Sequence, residues 1–143
     1  MTAIIEILPG RTYMGKISYG SDFLEEVNAF CLSKNIRLGR IDAIGAVKRA
    51  TIGFYDHESR EYKFLEYEKP LEILSLIGNI SIKDNKPMVH AHVTLSDENG
   101  MAFGGHLAPG TLIFACEFTV QEFIGESLNR GFDEATGLPL WDI

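Results

Sequence analysis

From residue 40 to residue 123, apolar and polar side chains alternate in seven runs that are separated by short turns. A period of two is typical of β-strands with one face buried, so these runs predict a sheet built largely from hairpins. Residues 4–8 and 11–18 show the same pattern and predict two more strands. Pro9 and Gly10 separate them, because proline lacks a backbone donor and glycine permits a turn.

One segment has helical periodicity instead. In SYGSDFLEEVNAFCLSKN, Phe23, Val27 and Phe30 recur at the spacing of one helix face. Ser21 is the predicted N-cap, and Asn35 tolerates the left-handed conformation that often ends a helix. No other segment predicts a helix of comparable quality. The expected fold class is therefore α+β, with one main helix on a strongly curved, mostly antiparallel sheet or partial barrel.

The composition is that of one globular domain. Apolar residues make up 45% of the 143 residues and charged residues 23%, and we expect a single domain over residues 1–143. Residues 125–143 lose the alternation and predict a C-terminal tail, whose Trp141 we expect to dock on the body or on a neighbouring subunit. Cys31 and Cys116 lie in apolar contexts and predict buried free thiols in a reducing compartment.

The charge balance and the absence of a targeting pattern narrow the choice of partners. Thirteen basic and twenty acidic residues give a net charge of −7, which repels phosphate backbones at long range. The nearest approach to a basic cluster is a spread of four cations that is typical of a solvated rim: Arg37, Arg40, Lys48 and Arg49. No apolar run approaches the roughly 20 residues of a membrane span, and the N-terminal residues do not match a signal peptide. We therefore expect a cytoplasmic protein with no membrane partner.

Three of the four histidines occur in MVHAHVTLSDENGMAFGGHL, residues 88–107. His90 and His92 are two residues apart on a predicted strand, so both point to one face. If residues 98–100 form a three-residue loop, His92 lies directly opposite His106 and His90 lies diagonal to it. A four-residue loop would turn His106 to the other face, unless a bulge at Gly104-Gly105 restored it.

Three neutral imidazoles suit Zn²⁺, with iron, nickel or copper as alternatives, and they leave one coordination position open for water or a small molecule. The alternative is that these are ordinary sheet histidines with no ligand. Glu72 and Glu117 are carboxylates inside apolar runs, where an unpaired charge is costly. Glu72 is our first candidate for a catalytic proton-transfer partner, and a solvent-facing position or an interface ion pair is the alternative for both glutamates.

The stretches LEILSLIGNIS, HAHVTLSDENG and GGHL together resemble the plants-and-prokaryotes conserved (PPC) domain family, as does GSDFLEEVNAFCLSKNIRLGRIDAIGAV. The resemblance covers a core of about residues 11–124. It implies a compact α+β domain that assembles as a homotrimer, with zinc at His90, His92 and His106. The arrangement of histidines is also similar to that of acetolactate decarboxylase, a zinc lyase.

Two functions remain open at this point. The first is a metal-binding PPC-domain protein, with zinc at the three histidines and a small molecule at the open position, which could serve as a lyase or hydrolase on a small carbonyl compound. The alternative is a regulatory module that binds DNA or protein. In plants the resembling proteins carry a DNA-binding AT-hook beside this domain, and this sequence has no basic R-G-R-P-like segment.

Overall fold

The computed structural model describes residues 2–143, which form nine strands and one helix. In chain order the elements are β1 (Leu8–Ile17), α1 (Phe23–Lys34), β2 (Gly39–Asp56), β3 (Glu61–Tyr67), β4 (Leu71–Lys83), β5 (Lys86–Ser96), β6 (Ala102–Leu107), β7 (Leu112–Ile124), β8 (Arg130–Phe132) and β9 (Pro139–Trp141). The predicted α+β class with one main helix is confirmed. That helix has twelve residues. No helix within the described part of the chain is long and apolar enough to cross a membrane.

Seven strands form one antiparallel sheet in the order β1-β7-β2-β4-β5-β6, with β3 paired to β2. The sheet is strongly curved without closing into a barrel. The long strand β2 produces much of this curvature, because its first half pairs with β4 and β7 while Ile52 and Gly53 farther along pair with β6. As a result, β6 is held between β5 on one side and the far end of β2 on the other.

The core lies between one face of the sheet and α1. Phe23, Val27 and Cys31 of the helix are buried against inward-facing residues of β5 such as Val89 and Ala91. On β5 these buried residues alternate with more exposed ones, as the period of two predicts. The predicted burial of both free cysteines is confirmed. The histidines of β5 therefore lie on the face of the sheet opposite the core.

Three local predictions are wrong. Pro9 and Gly10 do not separate two strands but lie within β1, whose register shifts between Pro9 and Thr12. Residues 4–7 form no strand, and β1 begins at Leu8, which pairs with Ile124, the last residue of β7. Residues 2–7 have no neighbouring strand with which to pair. The helix is capped by Asp22 and not by Ser21: the Asp22 carboxylate accepts a hydrogen bond from the Glu25 amide at 3.1 Å.

Asp22 also fastens the helix to the sheet. Its second carboxylate oxygen accepts a hydrogen bond of 2.6 Å from the amide of Gly110, in the turn before β7. Replacing Asp22 with alanine removes both bonds and leaves two amide donors without their partner, so we expect the free energy of unfolding to fall by about 1–3 kcal/mol. Urea denaturation followed by circular dichroism measures this loss.

The matched control is Glu25→Ala, which removes the same charge from the same helix turn but no cap. Glu25 is exposed, and we expect its replacement to change the free energy of unfolding by less than about 0.5 kcal/mol. Equal effects of the two substitutions would show that the cap does not hold the helix in place.

Candidate metal centre

The loop between β5 and β6 sets the register of the three histidines. The Asp97 amide donates to the Met101 carbonyl at 3.2 Å, and Gly100 adopts a φ of 75°, the left-handed conformation that this three-residue loop needs. Ser96 then pairs with Ala102, and His92 lies directly opposite His106. The predicted three-residue loop and its register are confirmed.

The three imidazole rings converge on one point outside the sheet. Their centroids are 5.3 Å apart for His90 and His92, 5.1 Å for His90 and His106, and 5.7 Å for His92 and His106. One ring nitrogen of each lies within 4.8 Å of the other two. Zinc at about 2.1 Å from each nitrogen separates tetrahedral ligands by about 3.4 Å, which a modest rotation of the exposed His92 ring can supply.

The glycines before His106 bring β6 close to both of its neighbours. A Cβ at Gly104 would collide with the carbonyl oxygen of Val93 on β5, and a Cβ at Gly105 would lie 2.7 Å from the carbonyl oxygen of Gly53 on β2. Their role is this close approach of backbones, which places the His106 ring beside the β5 histidines.

The surroundings keep the imidazoles of His90 and His106 uncharged. Burial lowers the pKa of His90 to about 4, with further lowering from His106, Arg130 and His92. Burial also lowers the pKa of His106, followed by the effects of His92 and Arg130. At neutral pH both rings are therefore in the neutral form that binds metals.

One nitrogen of this cluster has no partner within the protein. Nδ1 of His106 is buried and makes no hydrogen bond among the described residues. A buried polar atom without a partner costs free energy, and an unprotonated imidazole nitrogen is satisfied by a metal ion. The residues present thus fit a divalent transition metal, held by His90, His92 and His106.

Arg130, which the sequence did not single out, reaches the cluster from β8. Its Nε donates to Ser81 Oγ at 2.8 Å, Nη1 to the Pro139 carbonyl at 2.9 Å and Nη2 to Asn79 Oδ1 at 2.9 Å. Nη2 also lies 3.5 Å from Nδ1 of His90. These bonds join the C-terminal tail to β4 and place a guanidinium beside the histidines.

Tyr62 on β3 is a second residue that sequence reasoning missed. Its ring centroid lies 4.9 Å from that of His106. Gly53, which pairs with His106, makes room for this ring, since a Cβ there would lie 2.9 Å from it. Burial raises the pKa of Tyr62, so its hydroxyl keeps its proton at neutral pH. The sequence offered no signal for this contact, because the pairing of Gly53 with His106 is set by the tertiary fold.

The two glutamates lie away from the cluster. Glu72 is exposed and pairs with Ser96, four residues beyond His92, which corresponds to about 13 Å along the strand. Glu117 is exposed on β7, where it pairs with Lys16 of β1. Both therefore occupy solvent-facing positions on alternating strands, and among the described residues the metal-ligand cluster contains only the three histidines.

A mostly apolar cavity of about 630 Å³ opens beside the histidines. His90, His92, Asn79 and Arg40 contribute its polar wall. The remaining wall comes from the start of the chain, β4, β7 and the tail, and includes Ile4, Ile77, Phe123, Leu128, Trp141 and Ile143. A small molecule that reached the histidines through this cavity would be in contact with hydrocarbon over most of its surface.

Fold and site together define an α+β domain with a three-histidine cluster beside an apolar cavity. The Plants and Prokaryotes Conserved (PCC) domain matches residues 6–124, and the chain belongs to that family. The similarity to acetolactate decarboxylase is not shown by comparison with known proteins and stays a prediction.

Crystal structures of relatives have the same fold. A protein from Archaeoglobus fulgidus described as metal-containing is 44% identical, with a TM-score of 0.94 over 98% of this chain and 99% of its own. A plant- and prokaryote-conserved protein from Pyrococcus horikoshii is 37% identical, with a TM-score of 0.93 over 99% of this chain and 98% of its own. A "putative dna binding protein" from Bacteroides thetaiotaomicron is 28% identical, with a TM-score of 0.85 over 95% and 96%.

Among curated proteins, the Bifunctional protein GlmU of Synechococcus sp. (strain JA-3-3Ab) is 30% identical over 129 residues, which is 89% of this chain and 20% of that protein. A second GlmU, from Synechococcus sp. (strain JA-2-3B'a(2-13)), is 28% identical over 129 residues. The chain spans about a fifth of the length of these curated relatives.

The low pKa of His90 gives the metal-free protein a pH-dependent stability. An unfolded histidine takes up a proton near pH 6.5, whereas folded His90 does so only near pH 4. As the pH falls from 6.5 to 4, the unfolded state binds more protons than the folded state, so this contribution to stability is lost. We expect His90→Gln, which cannot titrate, to escape the loss.

Urea denaturation of chelator-treated protein at several pH values between 7 and 4 tests this expectation. Carboxylates titrate alike in both proteins, so the difference between their free energies of unfolding isolates His90. The stability of the native chain relative to His90→Gln should fall as the pH falls. A constant difference would mean that His90 is not held in its neutral form.

Proposed function

We propose that the chain is a metalloprotein in which His90, His92 and His106 bind one divalent transition metal ion, with zinc as the first choice. The observation that carries the proposal is the convergence of one nitrogen from each ring to within 4.8 Å, with Nδ1 of His106 buried and unpaired. The description of the Archaeoglobus relative as metal-containing supports it. Three protein ligands leave one position open, which is typical of reactive sites.

Within this proposal, the site serves a lyase or hydrolase that acts on a small carbonyl compound. Bound zinc would supply Lewis-acid polarisation of a carbonyl oxygen or lower the pKa of bound water. We assign the proton-transfer role predicted for Glu72 to Tyr62, whose ring lies 4.9 Å from that of His106. Arg130 orients His90 and the tail, while the apolar wall excludes water from the open side.

We also propose the homotrimer implied by the family. Two neighbouring residues of β3, Phe64 and Leu65, point to opposite faces and are 56% and 52% exposed. Phe54 on β2 is 65% exposed. Large apolar side chains exposed on both faces of one hairpin are typical of a surface that another chain covers, which supports assembly.

Elemental analysis of untagged protein tests the metal site. We expect about one zinc per chain after incubation with zinc and dialysis, and almost none in the triple variant with alanine at His90, His92 and His106, since ligand loss removes the binding free energy. His57→Ala is the matched control, because His57 is exposed in the turn after β2 and lies outside the cluster.

Circular dichroism shows whether the triple variant is folded. Zinc retained by a folded triple variant, or zinc lost equally from His57→Ala, would place the binding site elsewhere. A native chain that retains no zinc, iron, nickel or copper would overturn the proposal.

A DNA-binding regulator is the second candidate, and the description of the Bacteroides relative favours it. The cations of this chain offer it little support. Arg40 pairs with Asp42 at 2.7 Å, and Arg49 pairs with Glu66 at 2.9 Å and Glu68 at 3.0 Å. Arg40 and Arg49 are also nine residues apart on β2, about 30 Å along the strand.

Fluorescence anisotropy with a labelled duplex distinguishes this candidate from the first. Because Arg40 and Arg49 are paired with carboxylates and the net charge is −7, we expect no binding at about 1 μM protein in 50 mM salt. Binding at that concentration that weakens steeply between 50 and 200 mM salt would favour the regulator.

A further inference from the structure

Arg130 is a half-buried cation without an anionic partner. Within residues 2–143, no carboxylate lies within 4.0 Å of its guanidinium, and its hydrogen-bond acceptors are the uncharged groups of Ser81, Asn79 and Pro139. Burial lowers its pKa, which reflects the cost of removing the charge from water. Proteins usually place a carboxylate or another anion beside such a group.

With a divalent metal bound, the whole site would also carry uncompensated positive charge. The ligand cluster consists of three imidazoles and no carboxylate, so a divalent metal there keeps its two positive charges. Arg130 adds a third at 3.5 Å from Nδ1 of His90. A partly buried site with three positive charges attracts an anion strongly, because the low local dielectric weakens screening.

The cavity indicates what kind of anion fits. Arg40, the one cation among the described residues that lines this cavity, is already neutralised by Asp42. Arg130 does not line it but contacts His90, which does, so the uncompensated charge lies at the end with His90 and His92. Beyond that end, the cavity wall consists of the hydrocarbon side chains of Ile4, Ile77 and Leu128. It extends to Trp141, whose ring lies 5.8 Å from the guanidinium carbon of Arg130. The matching ligand is charged at one end and apolar at the other.

We propose that the site binds a small carboxylate with an apolar chain, of the 2-oxo acid class, and that Arg130 is the residue that selects its negative charge. The inference rests on the proposed function, because the metal supplies two of the three positive charges. In a 2-oxo acid the carbonyl oxygen is next to the carboxylate, so the carbonyl oxygen would suit the one open coordination position while the carboxylate stays free for Arg130. The charge faces Arg130 and the chain lies along the apolar wall.

Isothermal titration calorimetry of zinc-loaded protein tests the proposal with three probes. The probe 4-methyl-2-oxopentanoate has both the carboxylate and the apolar chain, pyruvate lacks the chain, and 4-methylpentan-2-one lacks the carboxylate. We expect the first to bind at least tenfold more tightly than either of the others. Zinc content is measured on the same samples, so that loss of the metal is distinguished from loss of the anion site.

Three variants test whether Arg130 is the residue that recognises the negative charge of the ligand. Arg130→Gln should weaken binding of 4-methyl-2-oxopentanoate about tenfold or more, and Arg130→Lys should weaken it less because it keeps the charge. Arg60→Gln is the control, since Arg60 also holds the tail, through the carbonyls of Glu134 and Ala135, but does not contact the histidines. We expect it to leave the affinity unchanged.

The outcomes separate the two proposals. A native chain without bound metal overturns the proposed function and this inference with it. Zinc-loaded protein that binds the ketone or pyruvate as tightly as the branched oxo acid overturns this inference alone, as does a folded, zinc-loaded Arg130→Gln with native affinity. If Arg130→Gln does not fold, the three probes on the native chain decide the question.

Discussion

The pairing of β5 with β6 is the constraint on which the site depends. Asp97 controls it: its carboxylate accepts hydrogen bonds from the amides of Asn99 at 2.9 Å and Met101 at 3.0 Å, and so fixes the loop that ends with Gly100. A slip of one residue would send the His106 ring to the core face, where Val89 and Ala91 leave no room for it. One exposed loop thus decides whether the three imidazoles meet.

The curvature of the sheet is the second constraint on the site. Because β2 is 18 residues long, it pairs with β4 near its start and with β6 near its end. This brings Tyr62 of β3 over His106 of β6, although β3 and β6 do not pair in the sheet. Gly104 and Gly105 let the backbone of β6 approach its neighbours at distances that a Cβ would prevent, and Gly53 leaves room for the Tyr62 ring.

The parts of the site that the sequence predicted are those that local periodicity controls. Alternation placed His90 and His92 on one face, and the loop geometry then fixed the position of His106. The sequence did not predict a role for Arg130, because it is 40 residues from His90 in a segment without periodicity. Only tertiary packing brings the two together. The prediction of a strand at residues 4–8 is wrong over residues 4–7 for a related reason. Alternation shows a tendency to pair but not whether a partner strand is present.

The position of the last residues has a practical consequence for work with this protein. Trp141 and Ile143 belong to the wall of the cavity beside the histidines, and Asn129 accepts a hydrogen bond from the Asp142 amide that holds them there. Any segment fused after Ile143 therefore starts at the mouth of that cavity. An oligohistidine extension at this end would bring additional imidazoles beside the cluster, whereas the same extension on a surface loop would not.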